Sequence, residues 1–197
     1  MAENPTGHYV HLNAIGLLPD SWPHGDVVCR WAPIHAELEV WGQRGDFIHA
    51  LVRKRVVAYV TREHDGRVEL LVFDHQGMPD VPTQVPAGRS DAHESLEEGA
   101  LREVEEETGL TGIRIAGELA DADEFERHFG PSAHRSWAFH AVADAAGPDR
   151  WKHLVSGTGM DSGLVFLCRW VPLDDSPPLW GEPDPLVERL RRSIRHS

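Results

Sequence analysis

The sequence predicts an α/β fold with a mixed central sheet, preceded by an irregular N-terminal extension. Three patterns support this fold class: two β-branched runs joined by a turn, a helix with signals at both of its ends, and an amphipathic helix near the C-terminus. With 197 residues, 41% of them hydrophobic, the chain is long and apolar enough for one domain with its own core.

The first 50 residues form the N-terminal extension in this interpretation. They are rich in Pro, Gly, His and Trp and keep neither a helical nor a strand periodicity for long. We expect residues 1–50 to pack on or beside a folded domain that spans residues 51–197. The extension could serve as a lid or a dimer arm, or as an ordered cover over one sheet edge.

Strands are predicted from residue 55 onward. The run at 55–62 is rich in β-branched residues, and Asp65-Gly66 separates it from a second run at 68–73, so the two runs indicate a hairpin. Beyond the hairpin, a short extended piece is predicted at 84–86, and further strands are predicted at 113–116, 136–142 and 164–171.

The last helix is predicted over 185–194. Its apolar residues stand at positions 186, 187, 190 and 194, which is the spacing of one helical face. Asp184 can cap this helix, with Pro185 at its first position and arginines near its negative end.

The most acidic part of the chain spans residues 88–110, where eight of 23 residues are Asp or Glu. Ser95 and Glu98 have the spacing of a capping box, and Gly109 can adopt the left-handed conformation that ends a helix. These signals predict a helix over 96–108.

Glu103, Glu106 and Glu107 share one side of this helix, whereas its apolar residues face another side. Charge runs are usually a solvated surface. Here, however, Glu103 and Glu107 repel each other at i,i+4 spacing by roughly 0.2–0.5 kcal/mol, and all three lie where the helix macrodipole is negative. A bound divalent cation would reverse these penalties, and hard carboxylate oxygens suit Mg²⁺ or Mn²⁺.

The same stretch resembles the signature of the Nudix hydrolase family, G-x5-E-x7-R-E-U-x-E-E-x-G-U, in which U is a bulky aliphatic residue. All nine specified positions are met at the correct spacing, by Gly88, Glu94, Arg102, Glu103, Val104, Glu106, Glu107, Gly109 and Leu110. The resemblance implies an α/β/α sandwich around the mixed sheet, which suits the predicted hairpin and the later strands.

The resemblance also implies a function, Mg²⁺-dependent hydrolysis of the pyrophosphate linkage in a nucleoside diphosphate derivative (NDP-X to NMP and P-X). Glu103, Glu106 and Glu107 would hold Mg²⁺ or Mn²⁺, together with the carbonyl of Gly88. The metal would neutralise phosphate charge and acidify a bound water, and Glu103 would accept the proton of that water.

Arg102 and Glu94 match the pair that orients the glutamates and ties the loop to the helix. Some family members use a carboxylate outside the signature as the base. Glu124 and Glu126 are candidates for that role, although a solvated loop is the favoured interpretation of segment 121–129.

Three features depart from the family's pattern. Gly99 lies inside the predicted helix, at a cost of about 1 kcal/mol relative to Ala, and we attribute it to close packing against a neighbouring backbone. Ala87 precedes Gly88, where a second glycine is common. Residues 125–127 stand where some subfamilies carry a proline for ADP-ribose or a tyrosine for dinucleoside polyphosphates, so those specialised substrates lose support.

Tryptophans and a glycine-rich loop could contribute to a nucleotide site. Trp31, Trp137 and Trp151 could stack on a nucleobase, but core packing is favoured for each of them. The loop 155–163 could rim the pocket or close over phosphate, although such a loop needs no function.

Histidines and cysteines give no sign of a second metal centre. His134, His140 and His153 lack the paired spacing of metal ligands, and Cys29 and Cys168 lie far apart with no CxxC pattern. We interpret the cysteines as reduced, buried thiols.

Charge limits the partners of the chain. The formal charge of −13 offers no basic face for DNA, RNA or anionic lipid, so a phosphate ligand must be small or arrive with cations. No apolar run is long enough to span a membrane, and the N-terminus lacks a secretory signal, which predicts a cytoplasmic protein. The sequence leaves the oligomeric state open, with a homodimer as one possibility. It also leaves open an alternative function, a catalytically silent domain that senses a nucleotide.

Overall fold

The chain divides into two compact units, residues 1–53 with 131–135 and residues 54–130 with 136–197. A computed structural model of the chain describes residues 21–24, 27–30, 38–42, 47–50, 54–91, 93–130, 134–143, 147–157, 161–181 and 183–195.

The described part of residues 1–53 consists of short strands. They are β1 (Ser21–His24), β2 (Val27–Arg30), β3 (Leu38–Gly42) and β4 (Phe47–Ala50). They pair antiparallel in sequence order. The sequence predicts an irregular segment here, and this is wrong for the described residues. Strands of four or five residues carry too little alternation to be identified without their pairing partners.

A larger sheet is built from seven of the described strands. They are β5 (Lys54–His64), β6 (Arg67–His75), β7 (Ala87–Arg89), β8 (Ile113–Ala120), β9 (Arg135–Ala143), β10 (Arg150–Leu154) and β11 (Val165–Pro172). Their order is β10–β11–β6–β5–β9–β8, and the short β7 pairs with β5. The sheet is mixed, as the sequence predicts.

β5 and β6 form the predicted hairpin. Its turn places Asp65 at φ 50° and Gly66 at φ 71°, and two successive left-handed residues are the requirement of a type I′ turn. Residues 56–62 of β5 are all buried. A strand covered on both faces has no need for polar residues at alternate positions, which explains its continuous apolar run.

The described helices are α1 (Leu96–Thr108), α2 (Ala122–Phe129) and α3 (Pro185–Arg195), with a short 3₁₀ helix at Leu173–Asp175. None of these helices is long and apolar enough to cross a lipid bilayer.

Alternate residues of β5 pack on opposite faces of the sheet. Val56 and Val60 belong to the apolar cluster that contains Val104 of α1. Val57 belongs to the cluster that contains Leu186 of α3. A helix therefore covers each face of the sheet, and the predicted α/β/α sandwich is confirmed.

The prediction of a solvated loop at 121–129 is wrong, because this segment contains α2. The Asp121 side chain caps the helix by accepting a hydrogen bond from the Glu124 amide at 2.8 Å. The Glu124 carboxylate pairs with Arg189 of α3. A helix of eight residues is marginal in isolation, so it depends on tertiary contacts that local sequence patterns do not reveal.

Helix α3 confirms the predicted C-terminal helix, and Asp184 caps it. Asp184 Oδ1 accepts a hydrogen bond from the Leu186 amide at 2.8 Å, and Oδ2 accepts one from the Tyr59 hydroxyl at 2.7 Å. Both acid and phenol are buried, and burial raises the pKa of Asp184. The pair therefore ties the start of α3 to the centre of β5.

Replacing Tyr59 with Phe should destabilise the protein, because the buried Asp184 Oδ2 atom loses its donor. The expected loss of unfolding free energy is about 1–3 kcal/mol, measured by urea denaturation. Asp184→Asn and the double variant complete a mutant cycle in the same assay. Strictly additive losses in that cycle would contradict a direct interaction between the two side chains.

Candidate active site

Helix α1 carries the acidic cluster and has the predicted signals at both ends. Ser95 Oγ accepts a hydrogen bond from the Glu98 amide at 3.1 Å, and Glu98 Oε2 accepts one from the Ser95 amide at 2.8 Å, which completes the capping box. Gly109 follows the helix with φ 73°. The helix predicted over 96–108 is confirmed.

Residues distant in sequence cap the carbonyl groups at the C-terminal end of α1. The Glu106 carbonyl accepts hydrogen bonds from the Ser156 amide and from His153 Nε2, each at 3.0 Å. The Thr108 carbonyl accepts one from Trp151 Nε1 at 2.7 Å. The last turn of α1 contains no basic residue, so no side chain of that turn offsets the negative end of the helix dipole. These distant donors satisfy the carbonyl groups instead.

Two of the three signature glutamates lie against the backbone of β7. The buried Glu103 carboxylate is so close to Gly88 that a Cβ atom at position 88 would lie 2.1 Å from Glu103 Cδ. Glu107 is also buried, and its Oε2 atom accepts a hydrogen bond from the Ala87 amide at 3.0 Å. The structure therefore brings Gly88, Glu103 and Glu107 together.

Arg102 connects the remaining carboxylates. Its Nε and Nη2 atoms donate to the two oxygens of Glu94, at 3.0 and 2.8 Å. Its Nη1 atom donates to Glu103 at 2.9 Å and to Glu106 at 3.2 Å. Nη2 also donates to the Arg89 carbonyl at 2.7 Å, so one guanidinium ties the chain after β7 to α1.

Burial dominates the electrostatics of the cluster. It raises the pKa of Glu103, although the adjacent Arg102 acts in the opposite direction. It raises the pKa of Glu107 well above its usual range, and the charges of Glu103 and Asp161 add to this effect. The Arg102 hydrogen bonds instead lower the pKa of Glu94. Burial therefore destabilises the charged forms of Glu103 and Glu107, and additional positive charge nearby would stabilise them.

The chemistry of the donors fits Mg²⁺ or Mn²⁺, since all of them are hard oxygen atoms. Within the described ranges, no three His, Cys, Asp or Glu side chains are arranged to hold a metal ion as they stand. The cation between Glu103 and Glu106 is the Arg102 guanidinium. A metal ion at Glu103, Glu106 and Glu107 therefore requires these side chains to turn from their present partners.

Gly99 leaves space for Glu94. A Cβ atom at position 99 would lie 2.7 Å from Glu94 Oε1. The predicted reason for this glycine, close packing against a neighbouring backbone, is wrong, because the neighbour is a carboxylate side chain. The Glu94 carboxylate also accepts a hydrogen bond from the Asp91 amide at 2.7 Å, so it has little freedom to move away.

The glycine-rich loop reaches the site at Gly157. A Cβ atom there would lie 2.4 Å from Glu106 Oε2. The neighbouring Ser156 amide holds the loop on the Glu106 carbonyl. The described part of loop 155–163 therefore borders the acidic cluster.

The other conspicuous residues have structural roles where they are described. Trp137 and Trp151 pack against the core on the α1 face, so the favoured interpretation as core residues is confirmed for both. Cys168 is a buried thiol, and burial raises its pKa to about 12. Trp31 and the side chain of Cys29 lie outside the described residues.

Local sequence patterns do not identify two residues beside the site, Arg55 and Trp180. Arg55 lies at the start of β5, and its charge interacts with that of Glu107. Arg55 Cζ lies 5.1 Å from the centre of the Trp180 ring. A charged residue at the head of an apolar strand is the one local signal that could have identified Arg55.

Comparison with known families gives one clear match. The sequence model of the NUDIX domain family matches residues 51–195. Proteins of that family typically depend on a divalent metal ion. A comparison with curated proteins finds no match.

Several solved structures resemble the chain at low identity. An Ap4A hydrolase from C. elegans, solved as a binary complex, has 16% identity and a TM-score of 0.52, with 74% of this chain and 100% of that chain covered. An ADP-ribose pyrophosphatase from Streptococcus suis has 16% identity and a TM-score of 0.48, with 74% and 91% covered. A NUDIX hydrolase from Nitrosomonas europaea has 16% identity and a TM-score of 0.49, with 86% of each chain covered. The first of these matches shows a shared fold.

Replacing Gly99 with Ala should fail to stabilise the protein, although Ala is the better helix former by about 1 kcal/mol. The added methyl group would collide with Glu94 and disturb its hydrogen bonds to Arg102. Thermal denaturation measures the effect, and Gly117→Ala is a matched control because a Cβ atom there meets nothing within 4 Å. A rise of about 1 kcal/mol for Gly99→Ala would contradict the assigned role of Gly99.

Replacing Glu107 with Gln should stabilise the protein in EDTA, and increasingly so as the pH rises. The folded-state pKa of Glu107 is raised, so the folded protein binds a proton that the unfolded chain releases. The free energy of unfolding of the native protein therefore falls as the pH rises from the ordinary glutamate pKa through the folded-state pKa of Glu107. The Gln variant has no such loss, because Gln does not titrate.

Thermal midpoints between about pH 5 and about pH 8 test this pH dependence, with an expected gain of about 2–4 °C per kcal/mol. Glu105→Gln is the control, because Glu105 is exposed on the same helix. A difference between Glu107→Gln and the native protein that stays constant with pH would contradict the assignment.

Proposed function

Because the chain belongs to the Nudix hydrolase family, we propose that it hydrolyses the pyrophosphate linkage of a nucleoside diphosphate derivative. The products are a nucleoside monophosphate and the phosphorylated remainder of the substrate, and the reaction depends on Mg²⁺ or Mn²⁺. The substrate is given only as a class, because an identity of 16% to the Ap4A hydrolase from C. elegans supports a shared fold and not a shared substrate.

The burial of Glu103 and Glu107 against β7 is the observation that carries this proposal. Both carboxylates lie at the Ala87-Gly88 backbone, and burial raises the pKa of each. A pyrophosphate group is itself strongly anionic, so carboxylates can engage it only through cations. The acidic cluster is therefore suited to a metal-bound phosphoanhydride and unsuited to a bare anion.

Glu103, Glu106, Glu107 and the Gly88 carbonyl would hold the divalent ion. When bound, that ion supplies Lewis acidity and neutralises phosphate charge. Glu103 accepts the proton of the attacking water in this proposal, and its raised pKa makes it a stronger proton acceptor than an exposed glutamate.

Arg102 and Glu94 position the glutamates and do not contact the substrate in this proposal. The Glu94 carboxylate holds two atoms of the Arg102 guanidinium, and the third nitrogen reaches Glu103 and Glu106. The bidentate pair fixes the plane of the guanidinium, so the two acidic side chains start from a defined place on α1.

Glu106→Gln should lower hydrolysis of a nucleotide panel by about 100-fold or more in Mg²⁺, because it removes one charged oxygen ligand. Release of nucleoside monophosphate measures the reaction, and EDTA should abolish it. Glu105→Gln, one residue away and exposed, is the matched control and should retain full activity.

Equal activity of Glu106→Gln and the native protein would contradict the assigned role of the cluster. Absence of hydrolysis across a broad panel, with nucleotide binding retained, would instead identify a catalytically silent sensor domain.

A further inference from the structure

Arg55 borders the acidic cluster but is not part of the family signature. It lies at the start of β5 and pairs with Arg89 of β7, one position from the pair that contains Gly88. The carboxylates of Glu107 and Glu103 both act on its charge. The Arg55 guanidinium is therefore at the edge of the proposed active site.

The nitrogen donors of Arg55 have no acceptor within the described part of the chain. Neither a hydrogen bond nor a salt bridge of this side chain is found there. By contrast, Arg62 and Arg102 each donate to several oxygen atoms. Arg55 is half-buried. A guanidinium has five N–H donors, so those of Arg55 are available to a ligand that reaches this edge of the site.

Trp180 contacts the same guanidinium through its ring. The 5.1 Å separation of Arg55 Cζ from the ring centre is within cation–π range. Trp180 has φ 57°, a strained value for a bulky residue. Its amide donates to the Thr83 carbonyl at 3.0 Å, and the preceding Leu179 is buried. These anchors hold the strained conformation in place, and such residues cluster at functional sites.

We propose that Arg55 binds phosphate oxygens of the substrate and that Trp180 positions Arg55 for this role. The inference rests on the proposed function, since it takes the ligand to be a phosphoanhydride. A guanidinium binds two phosphate oxygens in one plane, and stacking on an aromatic ring fixes the orientation of that plane.

The surroundings of Arg55 favour phosphate over a carboxylate of the protein as its acceptor. Glu107 acts on the Arg55 charge, yet its Oε2 atom is engaged by the Ala87 amide and it forms no salt bridge with Arg55. Arg102, the cation that bridges the acidic cluster, already donates to three carboxylates and a carbonyl. Arg55 is therefore a cation at this edge whose donors are open to a substrate.

Isothermal titration calorimetry with ADP and with inorganic pyrophosphate tests the inference without requiring turnover. Each probe is titrated in EDTA and again in Mg²⁺. Arg55→Gln and Arg55→Lys should both weaken binding of both probes, by about 10- to 100-fold, because neither variant offers the planar pair of donors. Arg67→Gln is the matched control, since Arg67 is exposed at the other end of the β5–β6 hairpin.

A second set of variants tests the positioning role of Trp180. Trp180→Ala should weaken binding of both probes, Trp180→Phe should retain most of it, and Trp180→Ala should have no further effect in an Arg55→Gln background. Weaker binding of ADP alone, with pyrophosphate unaffected, would show that Trp180 stacks on the base and would contradict the positioning role.

The outcomes separate this inference from the proposed function. Unchanged binding of both probes by the two Arg55 variants overturns the inference even if the protein hydrolyses nucleotides, and so does failure of the native protein to bind either probe. Arg55-dependent binding by a protein that hydrolyses nothing supports the inference and contradicts the proposed function. Arg55→Lys keeps the charge and most of the volume, so it decides the question if Arg55→Gln fails to fold.

Discussion

The contact of Arg102 with several carboxylates is the interaction on which the site depends. One guanidinium donates to Glu94, Glu103 and Glu106 and to the carbonyl of Arg89, so it joins the chain that follows β7 to two successive turns of α1. Like charges repel, and without a shared cation this cluster would oppose the packing of α1 on the sheet. One arginine can pair with several acids because its planar guanidinium presents donors in three directions.

Close packing also confines the carboxylate side chains. Glycine borders three of them: position 88 faces Glu103, position 99 faces Glu94, and position 157 faces Glu106, and a Cβ atom at each position would come within 2.1 to 2.7 Å of a carboxylate atom. The acids are thus held against main chain from three parts of the sequence. Burial of this kind costs stability, as the raised pKa values of the buried acids indicate. Local instability that a ligand can relieve is expected where function, not folding, determines the residues.

The C-terminal end of α1 links this cluster to the rest of the sheet. Its carbonyl groups would add negative potential beside the acids, and donors from β10 and from the loop that follows it satisfy them. The same loop places Gly157 against Glu106. In addition, β5 supplies Arg55 and the chain before α3 supplies Trp180. The proposed phosphate site is therefore assembled around one helix by segments that the sheet brings together.

Local patterns determined the parts of this protein whose causes are local. The capping box of α1 joins residues three apart, and the Asp65-Gly66 turn needs two adjacent left-handed residues. Helix α3 has one apolar face. Each of these features can be predicted from a short stretch of sequence. Strands β1–β4, helix α2, the space that Gly99 leaves for Glu94, and the Arg55–Trp180 contact were decided only by tertiary structure. Strands of four or five residues and a helix of eight residues are marginal without their partners, and no spacing rule connects residues such as Arg55 and Trp180 before the chain folds.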